Sequence, residues 1–226
     1  ESVGSFTSRH LRDLCGDDEC EESLRLAFTS KNIESGGYST GSTFFIGSNE
    51  APSCFLEHLA LEVYAYHAMR LGKQDLKNGG AEWWSQVIHS DDDIGWHWDR
   101  DYGKEEEGEY VYPDVATVTY FRSLGGATVV TSCRGAAGDL SSSSVGYPIG
   151  TGKLERMSVS KPGKGKHLYF PGDLLHGAPS NLSRDVVEVG AEEEDGDDEE
   201  GSDEDDDSEM RITFLVNCWF DRRPIQ

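Results

Sequence analysis

The chain has 226 residues, 36% of them hydrophobic, and a formal net charge of −23; that length can enclose one sizeable core. No apolar run approaches the roughly 18 residues that span a bilayer, and 15 of the 43 acidic residues, with no basic ones, lie between Glu188 and Glu209. Without that tract 28 acids face 20 Lys plus Arg, a net of −8, so neither a membrane span nor the basic surface of a nucleic-acid binder is expected.

The first residues, Glu1 to Arg12, lack the basic-then-apolar layout of a signal peptide. Five cysteines (Cys15, Cys20, Cys54, Cys133, Cys218) form no Cys-x-x-Cys pair. Scattered reduced thiols fit an intracellular protein of the cytoplasm or nucleus. Residues 1–80 are expected to form a helical extension packing on a domain over 81–226. Ser35 to Ser42, rich in Gly and Ser, reads as a loop, and Thr43 to Ile46 as a short strand. Asn49 to Leu71 reads as the clearest helix, with Asn49 as cap, Pro52 in the first turn and Gly72 at its end. Phe55, Leu59, Val63 and Tyr66 recur at helical spacing and predict its apolar face; His58 and His67 read as interfacial rings, partly buried.

After Gly79-Gly80 the texture changes to short β-rich runs between turn residues: 82–88, 94–98, 116–121, 127–131, 153–159, 166–170, 185–189 and 211–220. Eight such strands predict a mainly β fold with N-terminal helices, a sandwich, jelly roll or small barrel. The acidic tract, 188–209, falls between the last two and reads as a disordered, self-repelling insertion.

Three pieces of the β-rich part carry chemistry. In Ile94-Gly-Trp-His97-Trp-Asp99, strand alternation lets His97 and Asp99 face one metal together while Trp98 points away. In Lys166-His-Leu-Tyr-Phe-Pro-Gly-Asp-Leu-Leu-His176-Gly-Ala-Pro, a histidine stands where the chain re-enters a strand after a Pro-Gly turn. His97, Asp99 and His176 together make a 2-His-1-carboxylate set, which leaves positions open on Fe(II). His167, mid-strand with no turn beside it, is the rival for the distal ligand. The third piece is Arg211-Ile-Thr213, whose alternation puts Arg211 and Thr213 on one face. Alone, Arg211 reads equally as a surface ion pair with the acidic loop or as an inward cation waiting for a carboxylate. Beside the other two pieces the carboxylate reading leads. Gln86 could face the same pocket. Trp83, Trp84, Trp96 and Trp98 bracket its front, some for the core and some for a substrate mouth. His89, before three aspartates, reads as part of a solvated loop.

On these residues, with the strand pair Ala116-Thr-Val-Thr-Tyr-Phe and Gly125-Gly-Ala-Thr-Val-Val, the segment from Glu82 to Pro224 resembles the Fe(II)- and 2-oxoglutarate-dependent oxygenases. Its texture is nearest to their prolyl-4-hydroxylase-like branch. The resemblance implies a double-stranded β-helix (jelly-roll, cupin-like), iron at His97, Asp99 and His176, and the distal carboxylate of 2-oxoglutarate at Arg211, helped by Thr213; Gln86, if it faces the pocket, would touch 2-oxoglutarate as well. It further implies consumption of O2, release of succinate and CO2, hydroxylation or demethylation of a small molecule or protein side chain, and ascorbate as reductant. Halogenation is disfavoured, because Asp99 fills the position a halide would need. Two features depart from the family. Arg211 follows His176 by 35 positions, a gap the acidic tract accounts for, and prolyl hydroxylases proper commonly place a lysine in the anchoring role. Two other readings stand beside this one: a non-catalytic β-helix holding a basic protein by its acidic loop, and a cupin-type metal enzyme without 2-oxoglutarate.

Overall fold

Short runs of β-branched and aromatic residues between Gly, Pro and Asp turns leave the chain few choices but strands, and among the described residues three segments before residue 80 hold helices. The computed structural model describes residues 2–35, 43–73, 77–136, 138–139, 154–182 and 209–225. In chain order its elements are β1 (Gly4–Thr7), α1 (Arg9–Leu14), α2 (Asp18–Ser35), β2 (Phe44–Gly47), α3 (Phe55–Arg70), β3 (Gly80–His89) and β4 (Ile94–His97). There follow α4 (Tyr102–Glu106), β5 (Glu109–Tyr110), β6 (Val115–Tyr120), β7 (Thr128–Arg134), β8 (Gly138–Asp139), β9 (Met157–Ser160), β10 (Lys166–Phe170), β11 (Leu174–Ala178) and β12 (Met210–Trp219).

Strand order decides the architecture. One sheet runs β1-β10-β6-β12-β3-β2 and a second β4-β11-β7-β9, with β5 and β8 as a separate pair; the pairings are antiparallel. From β3 to β12 the principal strands switch sheets at every connection except β7 to β9. The chain therefore winds as a ribbon around one axis. This is a double-stranded β-helix, a jelly roll whose two sheets face each other across a filled interior. Among the described residues no helix is long and apolar enough to cross a membrane, and all five cysteines are free.

The larger sheet is buried on both faces. Outward, Trp83, Val87, Ile212, Phe214, Val216 and Cys218 meet Leu24 of α2 and Leu56, Leu59, Ala60 and Val63 of α3 in the main core. Inward, Ala116, Val118, Tyr120, Leu168 and Phe170 pack with Val130 and Leu174 of the smaller sheet. Double burial erases the polar-apolar alternation of a one-sided sheet, so β3 and β12 read as nearly continuous buried runs.

The N-terminal segment holds more than helices, for β1 joins β10 and β2 joins β3 at the two edges of the larger sheet. Helix α3 begins at Phe55, later than expected. Asn49 is not its cap but donates from Nδ2 to the Lys77 carbonyl at 3.2 Å. The N-cap is Cys54, without a side-chain cap bond. The apolar stripe is also rotated: Leu59 and Val63 are buried, whereas Phe55 and Tyr66 are exposed and Leu56, Ala60, Tyr64, His67 and Ala68 complete the inner face. The strand expected over 153–159 is confined to Met157–Ser160, and 185–189 and most of the acidic tract 188–209 lie outside the described residues, as do 36–42 of the Gly- and Ser-rich loop.

His67 is fully buried rather than interfacial, and it meets His167 of β10. Their Nε2 atoms are 3.0 Å apart, and His167 Nδ1 is 2.8 Å from the Thr119 hydroxyl. His58 is exposed beside Glu62. Burial holds His67 down at about 4 and His167 at about 3, against an ordinary 6.5. Both are neutral in the fold, while the unfolded chain takes up protons below pH 6.5. Their contribution is therefore complete above 6.5 and is lost as pH falls through the folded values. For His67 alone the loss by pH 4 is on the order of 3 kcal/mol. In the double variant H67L/H167L the urea midpoint should depend less steeply on pH between 6.5 and 4; an unchanged slope would contradict the assignment.

Candidate metal centre

The backbone brings the three expected ligands together from two strands and a loop. His176 of β11 stands directly opposite His97 of β4 in the sheet register. Their ring centroids are 4.3 Å apart. β4 ends at His97, so Asp99 lies just past the strand rather than on it, yet its carboxylate turns back between the rings. His97 Nε2 is 3.5 Å from Asp99 Oδ1, and His176 Nε2 is 3.7 Å from Asp99 Oδ2. One ligand atom from each of the three lies within 4.8 Å of the others, and they form the cluster of this kind found among the described residues.

Backbone carbonyls orient both rings. His97 Nδ1 is 2.8 Å from the Gly95 carbonyl and His176 Nδ1 is 2.9 Å from that of Leu174. An Nδ1–H donated to each carbonyl leaves the Nε2 lone pair pointing at Asp99, the tautomer a metal ligand needs. Gly177 explains the residue after His176: a Cβ there would stand 2.9 Å from the Ile94 carbonyl, so only glycine lets β4 approach. The side chain of His97 remains 39% exposed while those of Asp99 and His176 are 12% and 8% exposed. Burial opposes charge on His97, but the hydrogen bond and charge of Asp99 outweigh it and raise its pKa. Burial likewise works against Asp99, but the two histidines hold its carboxyl below the usual range. Burial brings His176 down to about 4.

The cluster forms one wall of a cavity of about 620 Å³ between the sheets. Arg211, the first inward residue of β12, lies in the same cavity and is almost wholly buried. Its Nη1 donates to Gln86 Oε1 at 3.4 Å and its Nη2 to the Thr128 hydroxyl at 3.3 Å, both neutral acceptors at long range. Its Nε has no partner among the described residues. Gly125, at a φ of 89°, makes room for the stem: a Cβ there would stand 2.6 Å from Arg211 Cδ. Thr213, two residues along, is fully buried and its hydroxyl has no partner either. These orphaned donors fit the carboxylate of a bound acid, and two imidazoles with one carboxylate fit a borderline divalent ion.

Other candidates fall elsewhere. His167 belongs to the His67 pair, away from the cluster. His89 bonds Glu209 at 2.9 Å on the surface. Trp83 is core, stacked on Phe44 at 4.3 Å, whereas Trp84 and Trp96 line the cavity. Sequence reasoning missed Asn217 and Glu82, which also line it. Alternation from Arg211 through Thr213 and Leu215 reaches Asn217 and would have found it.

No family model matches the chain, and no curated protein matches it. Among solved structures it is similar to a Pseudomonas putida prolyl-4-hydroxylase at 12% identity, over 99% of this chain and 87% of that one, with a TM-score of 0.45. It is also similar to AviO1 from Streptomyces viridochromogenes at 12% identity, over 100% and 92% of the two chains, with a TM-score of 0.46. The β-helix assignment stands on the strand order.

Proposed function

We propose that the chain is an Fe(II)- and 2-oxoglutarate-dependent oxygenase that hydroxylates its substrate, or demethylates it through an unstable hydroxymethyl product. In this reading 81–226 is the catalytic β-helix and 1–80 an extension packed on its larger sheet. The observation that carries it is the pairing, in one cavity, of a His-Asp-His cluster with a buried arginine that has no acidic partner among the described residues.

His97, Asp99 and His176 would hold the ion, and Arg211 would bind the distal carboxylate of 2-oxoglutarate, with Gln86 and Thr213 beside it. When bound, iron and 2-oxoglutarate supply O2 activation coupled to oxidative decarboxylation, giving succinate and CO2. The chain's own part is orientation and exclusion. The Gly95 and Leu174 carbonyls fix the imidazole tautomers. Arg211, wedged by Gly125, presents a planar fork to an acid at a fixed depth. Phe170, Val118 and Leu215 in the cavity wall keep water from the space between the ion and Arg211, which strengthens every charge contact inside.

Protein supplied with Fe(II) and 2-oxoglutarate in air is expected to release succinate slowly even without its substrate. The signal is absent in H176A. Succinate release no faster than from free iron would overturn the assignment.

A further inference from the structure

The cavity holds a second buried charge that the cofactor does not use. Glu82 of β3 is 7% exposed and lines the same cavity. Its Oε1 accepts from the Thr43 hydroxyl at 2.7 Å, and its Oε2 accepts from the Trp219 indole N–H at 2.9 Å and the Asn217 amide at 3.4 Å. All three donors are neutral and no cation meets the carboxyl among the described residues, a costly setting for its charged form. Burial accordingly pushes the Glu82 carboxyl above its usual range, against the pull of its donors.

Asn217 stands directly opposite Glu82 in the β3–β12 register. It is 3% exposed and lines the same cavity as Asp99 of the metal cluster. Its amide N–H is turned to Glu82, and its Oδ1 is left buried without a partner among the described residues. A carboxyl and an orphaned acceptor thus lie side by side in the cavity that the metal ligands line. Arg211 cannot neutralise them. Its backbone lies six residues along β12, about 20 Å of strand at roughly 3.3 Å per residue, and its guanidinium bonds Gln86 and Thr128 instead. One cavity therefore holds a carboxyl at one end and a guanidinium at the other, neither with a partner of opposite charge among the described residues, and in the oxygenase reading the Arg211 end is taken by the acid. Trp84 and Phe28 add aromatic faces to the wall, and the half-exposed Trp96 and Tyr102 line it as well; such faces favour a cation on an apolar stem.

We propose that the Glu82–Asn217 end receives an alkylammonium group of the substrate, which donates to the Glu82 carboxylate and to Asn217 Oδ1. For its catalytic meaning this rests on the oxygenase reading, because Glu82 and Asn217 line one cavity with His97, Asp99 and His176, which sets the carbons near the ammonium in the space that the metal cluster faces. The binding itself does not depend on that reading. The substrate class is an aliphatic amine, either free or as a lysine side chain in a polypeptide.

The test titrates the full chain with three probes, followed by calorimetry and by tryptophan fluorescence: acetyl-Gly-Lys-Gly-amide, the same peptide with norleucine for lysine, and n-butylammonium. The lysyl peptide should bind roughly tenfold or more tightly than the norleucine peptide, as expected for a charged hydrogen bond in a buried site. In E82Q that preference should fall to about none. A lysyl peptide tighter than n-butylammonium points to a polypeptide substrate and the reverse to a free amine; either order supports the site. Equal binding of the two peptides, no saturable binding of either cation, or a preference kept in E82Q overturns it. The wild-type comparison decides alone if E82Q does not fold. Mn(II) binding, read by electron paramagnetic resonance on the same samples, separates the two readings. Protein that binds Mn(II) and lacks the cation preference loses this inference only. Protein with the preference and no Mn(II) site keeps it and loses the oxygenase.

Discussion

Replacing His176 by alanine is expected to abolish metal binding at the cavity while leaving the fold in place. Outer-shell partners of metal ligands are worth about 10 to 100-fold in affinity, so loss of a direct ligand should exceed about 100-fold. The three-atom cluster cannot be completed from nearby: His167, the next histidine on the chain, is held by His67 and Thr119 on the other sheet. The fold should tolerate the change. His176 is a small buried ring packed against Phe170 at 4.8 Å between centroids, and its removal costs about 1 to 3 kcal/mol in packing and one hydrogen bond. Equilibrium dialysis against Fe(II) or Mn(II), with circular dichroism as the control for folding, checks both halves. Stoichiometric metal retained by folded H176A would refute the ligand assignment.

The second large effect is at Arg211, where two readings predict opposite signs. If Arg211 were a structural ion pair, breaking it would strand a buried partner charge and cost about 3 to 5 kcal/mol of stability. The fold offers no such partner among the described residues: Gln86 and Thr128 accept weakly, and Nε bonds nothing. Methionine fills a similar volume without charge, so R211M should unfold no earlier than the parent, and later if desolvation of the guanidinium dominates. The cost should appear instead in cofactor binding. A charge-assisted pair of hydrogen bonds to a carboxylate corresponds to on the order of 100-fold in the 2-oxoglutarate required. Thermal unfolding beside a 2-oxoglutarate titration separates these. A variant that loses several degrees of melting temperature with unaltered cofactor affinity would return Arg211 to a structural role.

Most of the β-helix was legible because its strands are short, apolar and separated by turn residues, and because a strand presents alternate residues to one side. Alternation put His97 and Asp99 on one side, although Asp99 in fact sits past the strand end and reaches the site through a loop; Arg211 became legible as an inward cation only beside the two histidine motifs. What could not be read depends on register between distant segments. Glu82 and Asn217 lie 135 positions apart and become neighbours only when β3 and β12 pair. The His67–His167 pair likewise needs α3 docked on β10, 100 positions away. Helix α2 was hidden for another reason. Its sequence is dominated by charge, and its buried side includes Cys20 and Leu24, too few apolar positions to show a period. β1 has four residues and exists because β10 offers an open edge, which no local signal records.

The most direct test is an anaerobic titration of metal-free protein with Fe(II) and then 2-oxoglutarate, followed by visible absorption. A weak charge-transfer band should appear only when both are present. It should be missing in H176A and should require far more 2-oxoglutarate in R211M. Folded, iron-loaded protein that shows no such band at saturating 2-oxoglutarate would contradict the oxygenase assignment and leave the His-Asp-His cluster to a different metal chemistry.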